Sequence, residues 1–410
     1  MRGEFGQAGH SMVPLKSLLK KIETGWSPVC EPKPPGADEW GVLKLSAVTS
    51  GTFIESEAKR FPDQLTPRPA YEVKPGDVLM SRANGVKALV GVTCSVGDVR
   101  PRLLLPDLVF RLVPDPGVLD AEFLSIALTS VDARRQIDAV MRGTSGQYKV
   151  SQADVRGLEI PDLCLPDQRR IVGVHAAFDQ RIAALEQSWR KLRIIEQSVT
   201  FRAMAEAKIR VPLGEWIDRI DGGKSPLAED VPAGDAEWGV LKVSAVQAGW
   251  FHGAENKVVR APELINPHYE VRSGDLLMTR ANTEQLVGLA CIALDPAPRL
   301  MLSDKTLRII PVTARAEAGF IELALLSPDV RRQIRGAATG TSGSMKNISQ
   351  AAIKELLVPD VSVATQRQII SATAASRKRR NRLRDQVAKL RTVRQGMVED
   401  LLCGRAGLTE

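Results

Sequence analysis

The chain has 410 residues, 44% hydrophobic and 25% charged, a balance that excludes global disorder and leaves room for two cored domains. No apolar run approaches the ~20 residues of a membrane-spanning helix, so no membrane partner is expected. A formal net charge of +8 suits a polyanionic partner, whereas an aromatic content of 4% argues against a platform that stacks single-stranded bases.

In chain order, residues 1–12 lack an apolar signal core and are expected to form a disordered leader. The first globular part is expected over 13–162. Val42-Leu43-Lys44-Leu45 and Asp77-Val78-Leu79-Met80 have the composition of strands bounded by Gly and Pro, and Phe123 to Ile137 has helical periodicity. Over 163–208 a long helix is expected. Ile171, Val174, Phe178, Ile182, Leu185, Trp189, Leu192, Ile195 and Val199 follow steps of three and four, and Pro166 suits the first turn. A second globular part is expected over 209–360 and a second long helix over 361–405, with Leu383, Val387, Leu390, Val393, Met397 and Leu401 as its seam. Arg380 stands where the first helix has Ile182. This helix is strongly basic, with ten Lys or Arg and one acid between Gln366 and Arg394. Each stripe could pack on its own domain; pairing of the two helices as an antiparallel coiled coil is the expectation. A helix of about 38 residues would be ~55 Å long.

The two halves are copies. Nine of ten residues in Glu39–Val48 recur at Glu237–Val246, and Tyr71–Asn84 recurs at Tyr269–Asn282 with mild changes. Arg134-Arg135-Gln136-Ile137 answers Arg331-Arg332-Gln333-Ile334, and Gly143-Thr144-Ser145-Gly146 answers Gly340-Thr341-Ser342-Gly343. The offset stays at 197 or 198 residues, which means two long units of one α+β fold and not a solenoid of short repeats. The five cysteines are dispersed, with Cys94 and Cys291 at matching strand positions; this fits a reduced, cytoplasmic protein.

Chemistry is hard to find. Asp221-Gly222-Gly223-Lys224-Ser225 ends like a phosphate-binding loop, but Asp218 occupies the place of its first glycine. No dinucleotide fingerprint or metal-ligand spacing appears. Pro62-Asp63 with Glu72-Val73-Lys74 has the outline of a Mg²⁺ nuclease motif, yet the second unit has Arg260-Ala261 and Glu270-Val271-Arg272 there. No metal ligand or catalytic residue is assigned, and the chain is not expected to be an enzyme.

The duplication, the Gly76-Asp77-Val78-Leu79-Met80-Ser81-Arg82 segment with its partner at 274–280, and the domain-to-helix junctions resemble the specificity subunit of type I restriction–modification systems. The junctions run through Ile160-Pro161-Asp162 to Pro166-Asp167-Gln168-Arg169-Arg170-Ile171, and through Val358-Pro359-Asp360 to Gln366-Arg367-Gln368-Ile369. Asp167 and Thr365 replace the family's usual glutamate. The resemblance covers nearly the whole chain. It implies two target recognition domains, each reading half of a bipartite, asymmetric site in double-stranded DNA. It implies helices that space the domains and dock methyltransferase subunits, two of them expected. S-adenosylmethionine, ATP and Mg would belong to partner methyltransferase and restriction/translocase subunits, with no cofactor held by this chain. A specificity subunit serving a fused restriction–methylation polypeptide is the near alternative; a self-contained Mg-dependent nuclease is the distant one.

Residues identical in both units suit core positions or shared DNA contacts, because the halves of an asymmetric site differ. Arg82, Asn84, Arg280 and Asn282, leaving a strand end in each unit, are the expected duplex contacts, with Lys149 and Lys346 expected at phosphates. Bracing a turn is the competing role for all of them. Base discrimination is expected where the units diverge: 26–38 against 224–236, 52–68 against 250–266, and 85–87 against 283–285.

Overall fold

A computed structural model describes residues 10–143, 146–342 and 345–407, with the side chains of Thr341 and Ser342 left aside. Residues 1–9 of the expected leader, and Thr144, Ser145, Gly343 and Ser344 of the repeated polar loops, lie outside the described residues. The chain divides into two compact units, 1–185 with 385–410, and 186–384. The division falls inside both long helices.

Unit one runs β1 (Met12–Pro14), β2 (Leu19–Thr24), β3 (Gly41–Leu43), β4 (Ala58–Arg60), β5 (Val78–Ser81), β6 (Ala83–Asn84), β7 (Thr93–Ser95), β8 (Leu103–Leu104) and β9 (Val109–Pro114). It continues through α1 (Ala121–Ala127), α2 (Val131–Val140), β10 (Tyr148–Lys149), α3 (Gln152–Gly157) and β11 (Glu159–Pro161) into α4 (Leu165–Ala205). An antiparallel sheet of order β2-β9-β5-β7 is flanked by a smaller sheet of order β4-β3-β8. Strand alternation sorts the core. Val78 and Met80 face the apolar cluster under α1, with Phe110, Phe123 and Leu124, while Leu79 faces the other cluster with Leu43, Cys94 and Leu103. Burial pushes the Cys94 thiol up to about 12, as suits a cysteine that packs as a small apolar group.

The expected leader ends sooner than residue 12. Met12 already pairs with Pro161 across β1 and β11, and the Ser11 carbonyl accepts from the Asp162 N–H at 2.8 Å. Backbone pairing with the end of the domain orders these residues, and no apolar side chain is needed to do so.

Unit two repeats the plan. Its strands are β12 (Arg210–Pro212), β13 (Ile217–Gly222), β14 (Trp238–Leu241), β15 (Val246–Gln247), β16 (Trp250–Phe251), β17 (Asn256–Val259), β18 (Leu276–Thr279), β19 (Ala281–Asn282), β20 (Ala290–Ile292), β21 (Leu300–Met301) and β22 (Thr306–Pro311). Then come α5 (Ala318–Leu325), α6 (Pro328–Ala337), β23 (Thr339–Ser342), β24 (Met345–Asn347), α7 (Gln350–Lys354), β25 (Leu357–Pro359) and α8 (Val363–Leu402). The main sheet has order β13-β22-β18-β20, equivalent strand for strand to that of unit one.

Several repeated residues prove to be joints. Ile137 and Ile334 each pack on a left-handed glycine, Gly91 (φ 78°) and Gly288 (φ 72°), where a Cβ would fall within 2.7 and 2.6 Å of the isoleucine. Gln168 is buried at the start of α4. Its amide donates to the carbonyls of Val118 and Leu163, and its oxygen accepts from the Asp120 N–H. Gln366 does the same at α8 with Arg315, Val361 and Glu317. The Gln of each junction thus ties a long helix to the loop before the domain's first helix.

α4 and α8 run antiparallel beside each other in both units. In unit one Ile171 clusters with Val398, Leu401 and Leu402, and two turns along α4 Asp179 meets Arg394. In unit two Met204 and Ile369 share a cluster, and Glu196 meets Arg377 and Arg380. The expected heptad seam is wrong at its later positions. Ile195, Val199, Val393 and Met397 are exposed, while Glu196, Thr200 and Val398 are buried. Burial follows an eleven-residue spacing, Ile171 to Ile182 and Leu185 to Glu196, because a straight helix of 3.6 residues per turn drifts away from a heptad stripe.

Candidate nucleic-acid interface

In each unit the central strand of the main sheet ends and the chain steps sideways into a short ribbon. The Arg82 N–H donates to the Leu108 carbonyl at 2.9 Å, and its own carbonyl accepts from the Val150 N–H at 3.0 Å. This sets β6 antiparallel to β10, with Ala83 opposite Lys149 and Asn84 opposite Tyr148. Arg280 is held identically, by the Lys305 carbonyl and the Ile348 N–H, and β19 pairs with β24. The ribbons bring together Arg82, Asn84 and Lys149 in unit one and Arg280, Asn282 and Lys346 in unit two.

The side chains are not used alike. The Arg82 guanidinium is half-buried, reaching the Asp107 carbonyl at 3.4 Å and lying 5.4 Å from the Phe110 ring centroid. Arg280 is exposed, and among the described residues its guanidinium has no hydrogen bond or ion pair. Asn84 accepts from the Val86 N–H and Asn282 from the Thr283 N–H, so each side-chain oxygen shapes the following turn. Their amide nitrogens have no acceptor among the described residues.

Lys149 and Lys346 are not counterparts. Val150 and Ile348 make the equivalent bonds to Arg82 and Arg280, which aligns Lys149 with Asn347 and Lys346 with Tyr148. Residues adjacent on a strand face opposite ways, so Lys149 is exposed while Lys346 is half-buried, its ammonium donating to the Gly340 carbonyl at 2.9 Å. The cause is one extra residue in the loop of unit two, between the Arg142–Lys149 bridge and the matching Thr339–Asn347 pair.

The residues of the nuclease outline have other work. Both oxygens of Asp63 accept from Arg60 at 3.0 Å, and Glu72 accepts from the N–H of Arg102, a residue held at φ 67°. Glu270 repeats that contact with Arg299 at φ 65°, which is why the glutamate recurs. Among the described residues no three His, Cys, Asp or Glu side chains are placed to hold a metal ion. The Asp-Gly-Gly segment is the end of β13. Asp221 pairs with Arg308, and the space for a Gly223 side chain is filled by the Leu302 carbonyl.

Arg111 and Arg308 are functional residues of the scaffold that periodicity did not single out. Arg111 meets Glu23 at 2.9 Å and Asp77 at 3.0 Å; Arg308 meets Asp221 and Asp275, each at 3.1 Å. Burial raises the Asp77 carboxyl above its ordinary value even against the Lys74 N–H and Arg111. Arg331, from the repeated Arg-Arg-Gln-Ile, donates to the carbonyls of Val287 and Gln285, and burial lowers its guanidinium to about 10.

The first two divergent segments lie side by side in each unit. Trp26 packs edge-on to Phe61 under the Arg68 guanidinium, and Arg260 bridges Glu229 and Glu237. Val29 and Leu227, equivalent apolar residues in the first segment, are 94% and 88% exposed, a feature that residue type alone does not reveal. Trp250, half-buried, lies 4.0 Å from the Arg384 guanidinium of α8 and stacks on His252.

The fold is that of a type I restriction–modification S subunit. The chain superimposes over its full length on 99% of the S subunit from M. genitalium, with a TM-score of 0.51 and 14% identity. In sequence it is similar to the type I restriction enzyme EcoEI specificity subunit of Escherichia coli, 37% identical over 148 residues, 36% of this chain and 25% of that protein. It is also similar to the EcoKI specificity subunit of Escherichia coli (strain K12), 24% identical over 237 residues, 56% of this chain and 50% of that protein. The chain therefore spans a quarter and a half of the lengths of these two relatives. No family model matches it. Among the described residues no helix is long and apolar enough to cross a membrane.

Proposed function

We propose that the chain is the sequence-reading subunit of a type I restriction–modification complex, working in the cytoplasm and without catalysis of its own. Residues 13–162 and 209–360 are its target recognition domains, one for each half of a bipartite site in double-stranded DNA. Residues 163–208 and 361–405 are spacer helices that dock methyltransferase subunits. Those subunits bring S-adenosylmethionine, and a restriction/translocase subunit brings ATP-driven cleavage with Mg. The observation that carries this reading is the same Arg-Ala-Asn ribbon in two units that differ in the segments around it, on the fold of an S subunit. Similarity to two curated specificity subunits supports it.

Within this reading Arg280 and Lys149 contact backbone phosphate, and the amides of Asn84 and Asn282 have donors to offer a base edge. Arg280→Ala is expected to weaken binding of the assembled complex to target and non-target duplexes alike. The slope of log affinity against log salt should fall by about one. Fluorescence anisotropy across a salt series reads this; loss confined to the target, with an unchanged slope, would make Arg280 a base reader instead.

A further inference from the structure

The two long helices carry charges whose arrangement becomes clear from the 198-residue offset. The offset that takes Gln168 onto Gln366 and Ile171 onto Ile369 also takes Asp179 onto Arg377 and Glu196 onto Arg394. In unit one Asp179 of α4 meets Arg394 of α8. In unit two Glu196 of α4 lies 3.5 Å from Arg377 and from Arg380 of α8. The two bridges therefore join equivalent positions with every sign reversed. Both acids are on α4, and all three bases are on α8.

We propose that this segregation is a pairing code: it selects α4 with α8 and rejects the pairing of either helix with its own counterpart from a second copy of the chain. Apolar residues line both helices, Ile182 and Leu185 on α4 and Val387 and Val398 on α8, and they carry no charge with which to reject a like partner. In the same register, α4 against α4 sets Asp179 against Glu196 twice. α8 against α8 sets Arg377 and Arg380 against Arg394 twice. Glu196 and Arg380 are 5% and 6% exposed, so water screens such repulsion poorly. A duplicated chain is open to mispairing between copies, and like charges at a shared seam position are the means of preventing it. The code keeps two different domains in one particle, and it stands whether or not those domains read DNA.

The test needs a variant that keeps both bridges and loses the code. Asp179→Arg with Arg394→Asp does so: α4 and α8 remain complementary to each other, but each becomes complementary to itself. Full-length protein carrying a protease site between Glu206 and Ile209 is folded and cut. The two pieces are left to exchange partners under native conditions, without denaturant, and native mass spectrometry counts unlike and like pairs. The original sequence is expected to favour unlike pairs by at least about tenfold, and the double variant to approach a statistical mixture. In the uncut chain, which needs no exchange, Asp179→Arg alone should lower the melting temperature and adding Arg394→Asp should restore it. Like pairs in equal amounts from both sequences, or no restoration in the uncut chain, overturns the proposal.

Discussion

Arg308→Met is expected to destabilise unit two by about 3–5 kcal/mol, the range for removing one partner of a buried ion cluster. The guanidinium is nearly enclosed and serves four groups: the carboxylates of Asp221 and Asp275 and the carbonyls of Glu270 and His268. Methionine fills much of the volume but leaves two carboxylates facing each other with no cation between them. The loss should be confined to the sheet β13-β22-β18-β20. Arg219→Met, which removes an exposed cation from the same Asp221, should cost no more than about 0.5 kcal/mol. Urea unfolding followed by hydrogen exchange checks both. Equal effects from the two substitutions would mean that the buried cluster contributes little to the fold.

The second large effect concerns the exposed apolar pairs on the helices. Ile195 and Val199 of α4 are 57% and 47% exposed, and the offset carries them onto Val393 and Met397 of α8, 42% and 40% exposed. Repeated apolar residues on otherwise polar helix faces suit two copies of one partner, and the proposed partner is the methyltransferase subunit. Burying the half of two such side chains that is still exposed is worth ~1.5–3 kcal/mol, against ~1.5–3 kcal/mol for the full burial of one. Ile195→Asp with Val199→Asp is therefore expected to weaken one docking event by ~10–10²-fold, favouring a complex with a single methyltransferase. Val393→Asp with Met397→Asp should remove the other copy, and all four changes both. Mass photometry of the assembled complex counts the copies. Two copies retained at full affinity by both variants would place docking elsewhere.

The duplication was legible in the sequence because identity at a constant offset needs no structural knowledge. The ribbon residues Arg82, Asn84, Arg280 and Asn282 were legible for the same reason: they follow a short apolar run, Val78-Leu79-Met80 and Leu276-Leu277-Met278, that recurs at the same offset. Two kinds of error arose. Lys149 and Lys346 stand at the repeat offset of 197, but the loop of unit two gains one residue after the shared Gly-Thr-Ser-Gly, and a slip of one reverses a strand's faces. The helix seam was extended to Ile195, Val199, Val393 and Met397 because apolar residues do continue there at heptad steps. The helices, however, turn those residues outward and bury Glu196 and Arg380. The roles of Gln168, Gln366, Arg111 and Arg308 were not legible. Each acts on backbone or carboxylate groups that are distant in sequence, so no local pattern marks them.

The central claim is that the two recognition domains read separate halves of one DNA target. Its most direct test exchanges residues 13–161 for the corresponding region of another specificity subunit. The chimera is assembled with its methyltransferase, and the methylated motifs are read by single-molecule sequencing. One half of the motif should change completely while the other half stays as it was. A change in both halves by an intact, active complex, or in neither, would contradict the account.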